Sequence, residues 1–207
     1  MNKVYIIGVG PGNVEYILPI AQKYASKCDV LVGAKRNLEA FDCTNKKTIE
    51  LGKNLNEIID HIKQNKEDEQ IGVVVSGDTG FYSLLSFIKK HFNANELEVI
   101  PGISSVSYIF SKLSKTYDDY LLISLHGKPI ETLTHAIKLN QKIVMLTDNI
   151  NNPKKIADFL IANGYSNAKM IIGCNLSYDN ERIIYTDAMK IENWNSENLC
   201  VVVIEIV

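Results

Sequence analysis

The sequence lacks paired cysteines, an excess of basic charge and any long hydrophobic segment. Its four cysteines are far apart and form no CxxC pair, so neither a zinc site nor a disulfide framework is predicted. The formal net charge of -2 gives no basic surface that would neutralise many nucleic-acid phosphates. No apolar segment approaches the roughly 20 residues of a membrane span. These absences argue against a metal bound by the protein, a nucleic-acid partner and a membrane anchor.

The chain also lacks a recognisable targeting signal. Met1-Asn2-Lys3 leads directly into the apolar segment Val4 to Val9, which is too short for a signal-peptide core and is followed by no cleavage site. An unprocessed cytoplasmic protein is therefore expected. The 207 residues, 46% of them hydrophobic and 22% charged, are typical of a globular protein with one or two domains.

In the first half, short segments rich in valine and isoleucine alternate with amphipathic segments. This alternation predicts strands connected by helices in a largely parallel sheet. The predicted strands are Val4 to Val9, Asp29 to Val32, Ile71 to Val75 and Leu97 to Ile100. The predicted helices are Tyr16 to Ala25, Leu55 to Lys63, Tyr82 to Lys90 and Ser104 to Leu113.

After a polar segment at residues 114–119, the second half has more strands than helices. The predicted strands are Tyr120 to Ser124, Lys142 to Leu146, Lys169 to Gly173, Arg182 to Tyr185 and Leu199 to Ile206. The predicted helices are Glu131 to Lys138 and Pro153 to Asn163, the latter with an N-cap candidate in Asn151-Asn152 and a C-terminal cap in Gly164. Because no long helix follows Gly173, part of this sheet should be antiparallel. The expected fold class is α/β, with a mostly parallel sheet in residues 1–117 and a mixed sheet in residues 118–207.

Three turns rich in glycine and small polar residues follow predicted strands. They are Gly8 to Gly12, Ser76 to Tyr82 and Pro101 to Ser105. Because ligands bind beyond the carboxyl ends of strands in α/β sheets, the turns should face one crevice. The first is a poor dinucleotide fingerprint, since Asn13 replaces the third glycine of GxGxxG and Pro11 has no N–H to offer a pyrophosphate.

Taken one at a time, each turn also has a structural interpretation. The first could be a simple strand-to-helix connection. Asp78 could cap the following helix, and Ser104 and Ser105 could be ordinary N-caps.

In this order, the three turns resemble those of the tetrapyrrole methylase family, whose members carry a GxGPG turn, a GDPxFY-like turn and a PGISS turn. The resemblance runs from Gly8 to Val203, and it departs from the family pattern at Thr79, where proline is usual, and at Ser83, where glycine is usual. It implies two α/β domains with S-adenosylmethionine in the cleft between them, S-adenosylhomocysteine as product, and a homodimer. The implied cofactor contacts are Gly10, Pro11, Gly12, Ser76, Gly77, Asp78, Phe81, Ser104, Ser105, Leu146 and Leu176, with Asp78 on the ribose or amino end.

The second half resembles one branch of this family. SLHG at residues 124–127, LTDN at 146–149, and NLSY at 175–178 followed by ERI at 181–183 are similar to motifs of members that methylate carbon 5 of cobalt-precorrin-7, or of its metal-free counterpart, in cobalamin biosynthesis. The implied partner is therefore a small corrinoid precursor, which would bring any cobalt with it. The alternatives are another tetrapyrrole, an RNA or a protein as methyl acceptor, and a non-catalytic ligand sensor.

Little acid–base chemistry is required of such an enzyme, because the corrinoid supplies its own nucleophilic carbon and the protein chiefly positions two ligands. If a side chain moves a proton, His126 is the candidate, since imidazole titrates near neutral pH. A purely structural role for this histidine stays open.

Overall fold

The chain forms two compact units, Met1–Ser104 and Ser105–Val207, each built on one five-stranded sheet. The computed structural model describes residues 2–52, 54–139, 141–194 and 200–206. The division between the units falls before the helix Ser105–Leu113, because that helix packs on the second sheet, with Ile109 directly over Gly173. The domain boundary expected between residues 117 and 118 stays a prediction.

The first unit is a parallel sheet connected by helices, as predicted. The strand order is β3-β2-β4-β1-β5, and every neighbouring pair is parallel. The strands are β1 Val4–Gly8, β2 Val30–Gly33, β3 Lys47–Glu50, β4 Ile71–Val75 and β5 Leu97–Ile100. The helices are α1 Pro19–Ser26, α2 Lys35–Leu38, α3 Leu55–Asn65 and α4 Leu85–Ile88, with short 3-10 turns at Val14–Tyr16 and Ala94–Glu96.

Apolar side chains cover both faces of this sheet. Ile6 and Val73 belong to the core on one face, and Ile7 and Val74 belong to the core on the other. A strand buried on both faces reads as a continuous apolar segment, which is why β4 was predicted with its observed bounds. The register aligns the carboxyl ends of β1, β4 and β5, so the turns that follow them leave the same edge of the sheet.

Two predicted helices are shorter in the structure. The segment Val14–Tyr16 is a 3-10 turn, capped by the Asn13 side chain, so α1 begins only at Pro19. Tyr82 has a φ of 50°, in the left-handed region that a helix excludes, so α4 begins at Leu85 and not at Tyr82.

The second unit has a mixed sheet with strand order β6-β7-β10-β8-β9. Strands β6 and β7 are parallel, whereas β10 runs antiparallel to β7 and β8, and β8 runs antiparallel to β9, which confirms the predicted mixed sheet. The strands are β6 Leu121–Ser124, β7 Lys142–Leu146, β8 Lys169–Cys174, β9 Arg182–Asp187 and β10 Cys200–Glu205. The helices are α5 Ser105–Leu113, α6 Thr132–Leu139 and α7 Pro153–Ala162. Leu199, the predicted first residue of the last strand, lies outside the described residues.

The predicted caps of α7 are confirmed. The Asn152 side chain accepts a hydrogen bond from the backbone N–H of Lys155 at 3.0 Å, and Pro153 occupies the first turn. Gly164 has a φ of 87°, and its N–H donates to the carbonyl of Ile161 at the carboxyl end. None of the helices in the described ranges is long and apolar enough to cross a bilayer.

Candidate functional site

The three glycine-containing turns of the first unit meet where β1, β4 and β5 end. A Cβ atom on Gly8 would lie 2.5 Å from the backbone nitrogen of Gly102 and 3.0 Å from the carbonyl oxygen of Gly77. A Cβ atom on Gly102 would overlap that same oxygen of Gly77. The backbones of the three turns therefore touch, which only glycine permits.

Reciprocal backbone hydrogen bonds join the first two turns. The N–H of Gly77 donates to the carbonyl of Gly10 at 2.8 Å, and the N–H of Gly10 donates to the carbonyl of Gly77 at 3.2 Å. Gly10 and Gly77 have φ values of 92° and 68°, a conformation that L side chains rarely adopt. Pro11 and Gly12, which follow directly, are half-buried. This leaves a stretch of main chain without bulky side chains beside the end of β4.

Asp78 ties the second turn to the third. One of its carboxylate oxygens accepts the N–H of Gly80 at 2.8 Å, and the other accepts the N–H of Gly102 at 3.2 Å. Asp78 does not cap α4, which begins seven residues later at Leu85. Its contact with the ribose or amino end of a cofactor stays a prediction.

The remaining predicted residues of the first unit lie on the same turns. Ser76 is exposed, and its hydroxyl bonds to Arg36 and to Asn37. Phe81 is half-buried, with its ring edge-on to Tyr82. Ser104 passes close to the second turn, since a Cβ atom on Gly77 would lie 3.9 Å from its Cα. Ser105 is the first residue of α5 and belongs to the second unit.

In the second unit, His126 lies on a turn that follows β6. The N–H of His126 donates to the hydroxyl of the buried Ser124 at 3.2 Å, and the N–H of Leu125 donates to the carbonyl of Leu146 at 2.9 Å. Gly127 has a φ of 65°, and its N–H donates to the Asp148 carboxylate at 2.7 Å. The His126 side chain is exposed on a turn whose backbone is held by its neighbours.

Asp148 and Asn151 hold this turn from the adjoining loop. The second oxygen of Asp148 accepts the N–H groups of Ile150 and Asn151 at 2.9 Å and 2.6 Å. Burial raises the pKa of Asp148, but the backbone donors Asn151, Gly127 and Ile150, together with the charge of His126, outweigh burial and hold this pKa below its ordinary value.

The Asn151 side chain is 2% exposed, and its amide nitrogen donates to the carbonyls of Leu125 and Lys128, each at 2.8 Å. In the sequence, Asp148 stands out only as part of the LTDN motif, and Asn151 only as a candidate helix cap. Their role in the loop could have been predicted from the cluster of Asp and Asn residues in Asp148-Asn149-Ile150-Asn151-Asn152, since these side chains often bond to nearby backbone groups.

Leu146 and Leu176 lie in different structural surroundings. Leu146 ends β7, and its carbonyl takes part in the His126 turn as described. Leu176 is buried between Asn175 and Ser177, which have positive φ values of 49° and 71°. The N–H of Ser177 donates to the Glu181 carboxylate at 2.6 Å, which explains why the NLSY and ERI motifs occur together. The roles of Leu146, Leu176 and His126 toward a ligand stay predictions.

The comparison with protein families decides to which family this fold and these turns belong. Residues 3–192 match the model of the Tetrapyrrole (Corrin/Porphyrin) Methylases, which covers most of the chain. The chain belongs to the tetrapyrrole methylase family. The predicted resemblance is thereby confirmed.

Two relatives and one solved structure show what the chain is similar to. It is 36% identical over 208 residues to a probable cobalt-precorrin-7 C(5)-methyltransferase of Methanocaldococcus jannaschii, covering 98% of this chain and 97% of the relative. It is 32% identical over 178 residues to the cobalt-precorrin-7 C(5)-methyltransferase of Salmonella typhimurium, covering 86% and 87%. The uroporphyrin-III C-methyl transferase of Thermus thermophilus, solved in complex with S-adenyl homocysteine, shares the fold with a TM-score of 0.76 at 17% identity, covering 99% of this chain and 97% of that one.

Proposed function

We propose that this tetrapyrrole methylase transfers a methyl group from S-adenosylmethionine to carbon 5 of cobalt-precorrin-7 in cobalamin biosynthesis. The observation that carries this proposal is the 36% identity to the Methanocaldococcus jannaschii relative over 98% of the chain. The Salmonella typhimurium relative, named for the same reaction, supports it independently. As parts of the same proposal, the enzyme acts in the cytoplasm as a homodimer.

The residues at the first sheet's carboxyl edge fit S-adenosylmethionine. Gly10, Gly12 and Gly77 present main chain without side chains, so a ligand can approach backbone N–H and carbonyl groups closely. A chain of the same fold holds S-adenyl homocysteine. The residues proposed to hold the cofactor are Gly10, Pro11, Gly12, Ser76, Gly77, Asp78, Phe81, Ser104, Ser105, Leu146 and Leu176.

The methyl-transfer reaction requires the protein to position its ligands more than to donate or accept protons. When bound, the cofactor supplies a methyl group on a positively charged sulfur. The turns described above are fixed by hydrogen bonds from backbone N–H groups to carbonyls and carboxylates, so they orient their ligands at little further cost in entropy. His126 is proposed to move a proton if the reaction needs one, since its turn is held rigid while its imidazole remains exposed.

The decisive experiment is methyl transfer with the purified protein under anaerobic conditions. The enzyme is incubated with S-adenosylmethionine and cobalt-precorrin-7, and separately with the metal-free analogue. Mass spectrometry counts added methyl groups and NMR locates the methylated carbon. One methyl group at carbon 5 is expected, with faster turnover on the cobalt form. Binding of S-adenosylhomocysteine without methylation of either macrocycle would contradict the proposed substrate.

A further inference from the structure

Arg36 stands at the carboxyl edge of the first sheet, beside the turn that follows β4. Strands β2 and β4 are neighbours, so the residues after them emerge side by side. One terminal nitrogen of the Arg36 guanidinium donates to the Ser76 hydroxyl at 3.1 Å. That hydroxyl donates in turn to the side-chain oxygen of the buried Asn37 at 3.1 Å. The chain of bonds from Arg36 through Ser76 to Asn37 fixes the guanidinium next to Gly77.

The positive charge of Arg36 is paired with a neutral hydroxyl. In the described part of the chain, no carboxylate lies within ion-pair distance of Arg36, whereas Lys3 and Lys66 of the same unit pair with Glu98 and Glu96. The acid of the adjacent turn, Asp78, accepts backbone N–H groups instead. A guanidinium carries several N–H donors in a rigid fork, and one bond to Ser76 leaves others for an anion.

We propose that Arg36, oriented by Ser76 and Asn37, binds a carboxylate of a ligand held at these turns. This inference rests on the proposed function, whose two ligands both carry carboxylates: the methionine end of S-adenosylmethionine, and the acid side chains of the precorrin. Either carboxylate presents two coplanar oxygens that match the guanidinium fork. Arg36 is thus a binding residue, and Asn37 acts through Ser76 as a positioning residue.

Binding measurements with two probes separate the two sources of the carboxylate. Isothermal titration calorimetry gives the affinities of S-adenosylhomocysteine and of methylthioadenosine, which lacks the amino-acid end. If Arg36 binds the cofactor, Arg36→Gln weakens S-adenosylhomocysteine about ten- to a hundredfold and leaves methylthioadenosine unchanged. If it binds the macrocycle, both affinities stay unchanged and the KM for cobalt-precorrin-7 rises by a similar factor. Lys90→Gln, which removes an exposed charge on the segment that follows α4, is the control and should change none of the three quantities.

A second variant and the wild type keep the outcomes distinct. Arg36→Lys keeps the charge but loses the fork, so it should recover only part of the lost affinity. The inference is overturned if Arg36→Gln unfolds like the wild type and if both affinities and the KM for cobalt-precorrin-7 stay within about twofold of the wild-type values. That result would leave the proposed function intact. A wild type that binds S-adenosylhomocysteine through Arg36 but methylates neither macrocycle supports the inference and overturns the substrate. If the wild type neither binds S-adenosylhomocysteine through Arg36 nor methylates either macrocycle, both the inference and the proposed substrate are overturned.

Discussion

Replacing Gly102 by alanine tests the close approach of the turns that follow β1, β4 and β5. The new methyl group would overlap the carbonyl oxygen of Gly77 and lie 2.8 Å from the carbonyl carbon of Gly8. Both neighbours are backbone atoms, which cannot rotate away as a side chain can. Gly102 does not have a left-handed φ, so the expected damage is steric and not conformational.

The magnitude follows from two opposing effects. Overpacking of this kind costs about 1–3 kcal/mol. Alanine also restricts the unfolded chain, which returns about 0.4–1 kcal/mol. We expect Gly102→Ala to lower the free energy of unfolding by about 1–2 kcal/mol. Gly52→Ala is the matched control, because a Cβ atom there would meet no heavy atom within 4 Å, and it should leave stability equal or slightly higher.

The assay is urea unfolding of both variants and the wild type. The chain has one tryptophan, Trp194, which lies in the second unit, so circular dichroism must be used to follow the first unit. Affinity for S-adenosylhomocysteine should also fall in Gly102→Ala, because displacement of Gly77 disturbs the bond between Asp78 and residue 102. If Gly102→Ala unfolds at the same urea concentration as Gly52→Ala, the backbone contact is not as close as the structure indicates.

Three further variants test the second unit. Asp148→Asn should lower the free energy of unfolding by about 1–2 kcal/mol near neutral pH. Because the pKa of Asp148 is lowered in the folded state, this stabilisation is present above the unfolded pKa of about 4 and is lost as the pH falls through the folded pKa. If the difference in unfolding free energy between Asp148→Asn and the wild type does not change with pH, the role assigned to Asp148 is wrong. His126→Asn should reduce kcat about a hundredfold and leave the KM for the cofactor unchanged. The control is His135→Asn, at an exposed position of α6, which should leave kcat unchanged. If His126→Asn has the same kcat as this control, His126 is a structural residue. Asn152→Ala removes the cap bond to Lys155 and should lower the free energy of unfolding in urea by about 1 kcal/mol. A decrease of less than a few tenths of a kcal/mol would show that the cap is dispensable.

The fold was predictable where burial leaves a mark in the sequence. The fully buried β4 and the predicted α7 caps follow from continuous apolar residues and from Asn152, Pro153 and Gly164. Strand β3 was missed because it is a largely exposed edge strand with Ile49 as its one apolar residue, so it shows no hydrophobic pattern. Its position is set by pairing with β2, which no local signal reveals.

The site was predictable to the level of turns but not of contacts. Strand topology alone places the three glycine turns at one edge. That Gly8, Gly77 and Gly102 touch depends on the register between strands, which the sequence does not state. The bond from Arg36 to Ser76 joins residues 40 positions apart, and that from Gly127 to Asp148 joins residues 21 apart. Such partners are fixed by tertiary packing, so composition and spacing could not identify them.

In the second turn, the Ser83 side chain makes hydrogen bonds that the glycine usual in the family could not make. Thr79 stands where proline is usual, and a turn without proline gains backbone freedom in the unfolded chain. Ser83 stands where glycine is usual, and its hydroxyl donates to the carbonyl of Thr79 while accepting the N–H of Leu85 at 3.1 Å. The serine side chain thus restrains the segment that proline would have restrained and also leads it into α4. Because glycine at residue 83 could not make either bond, the serine restrains a turn that lacks the usual proline at residue 79.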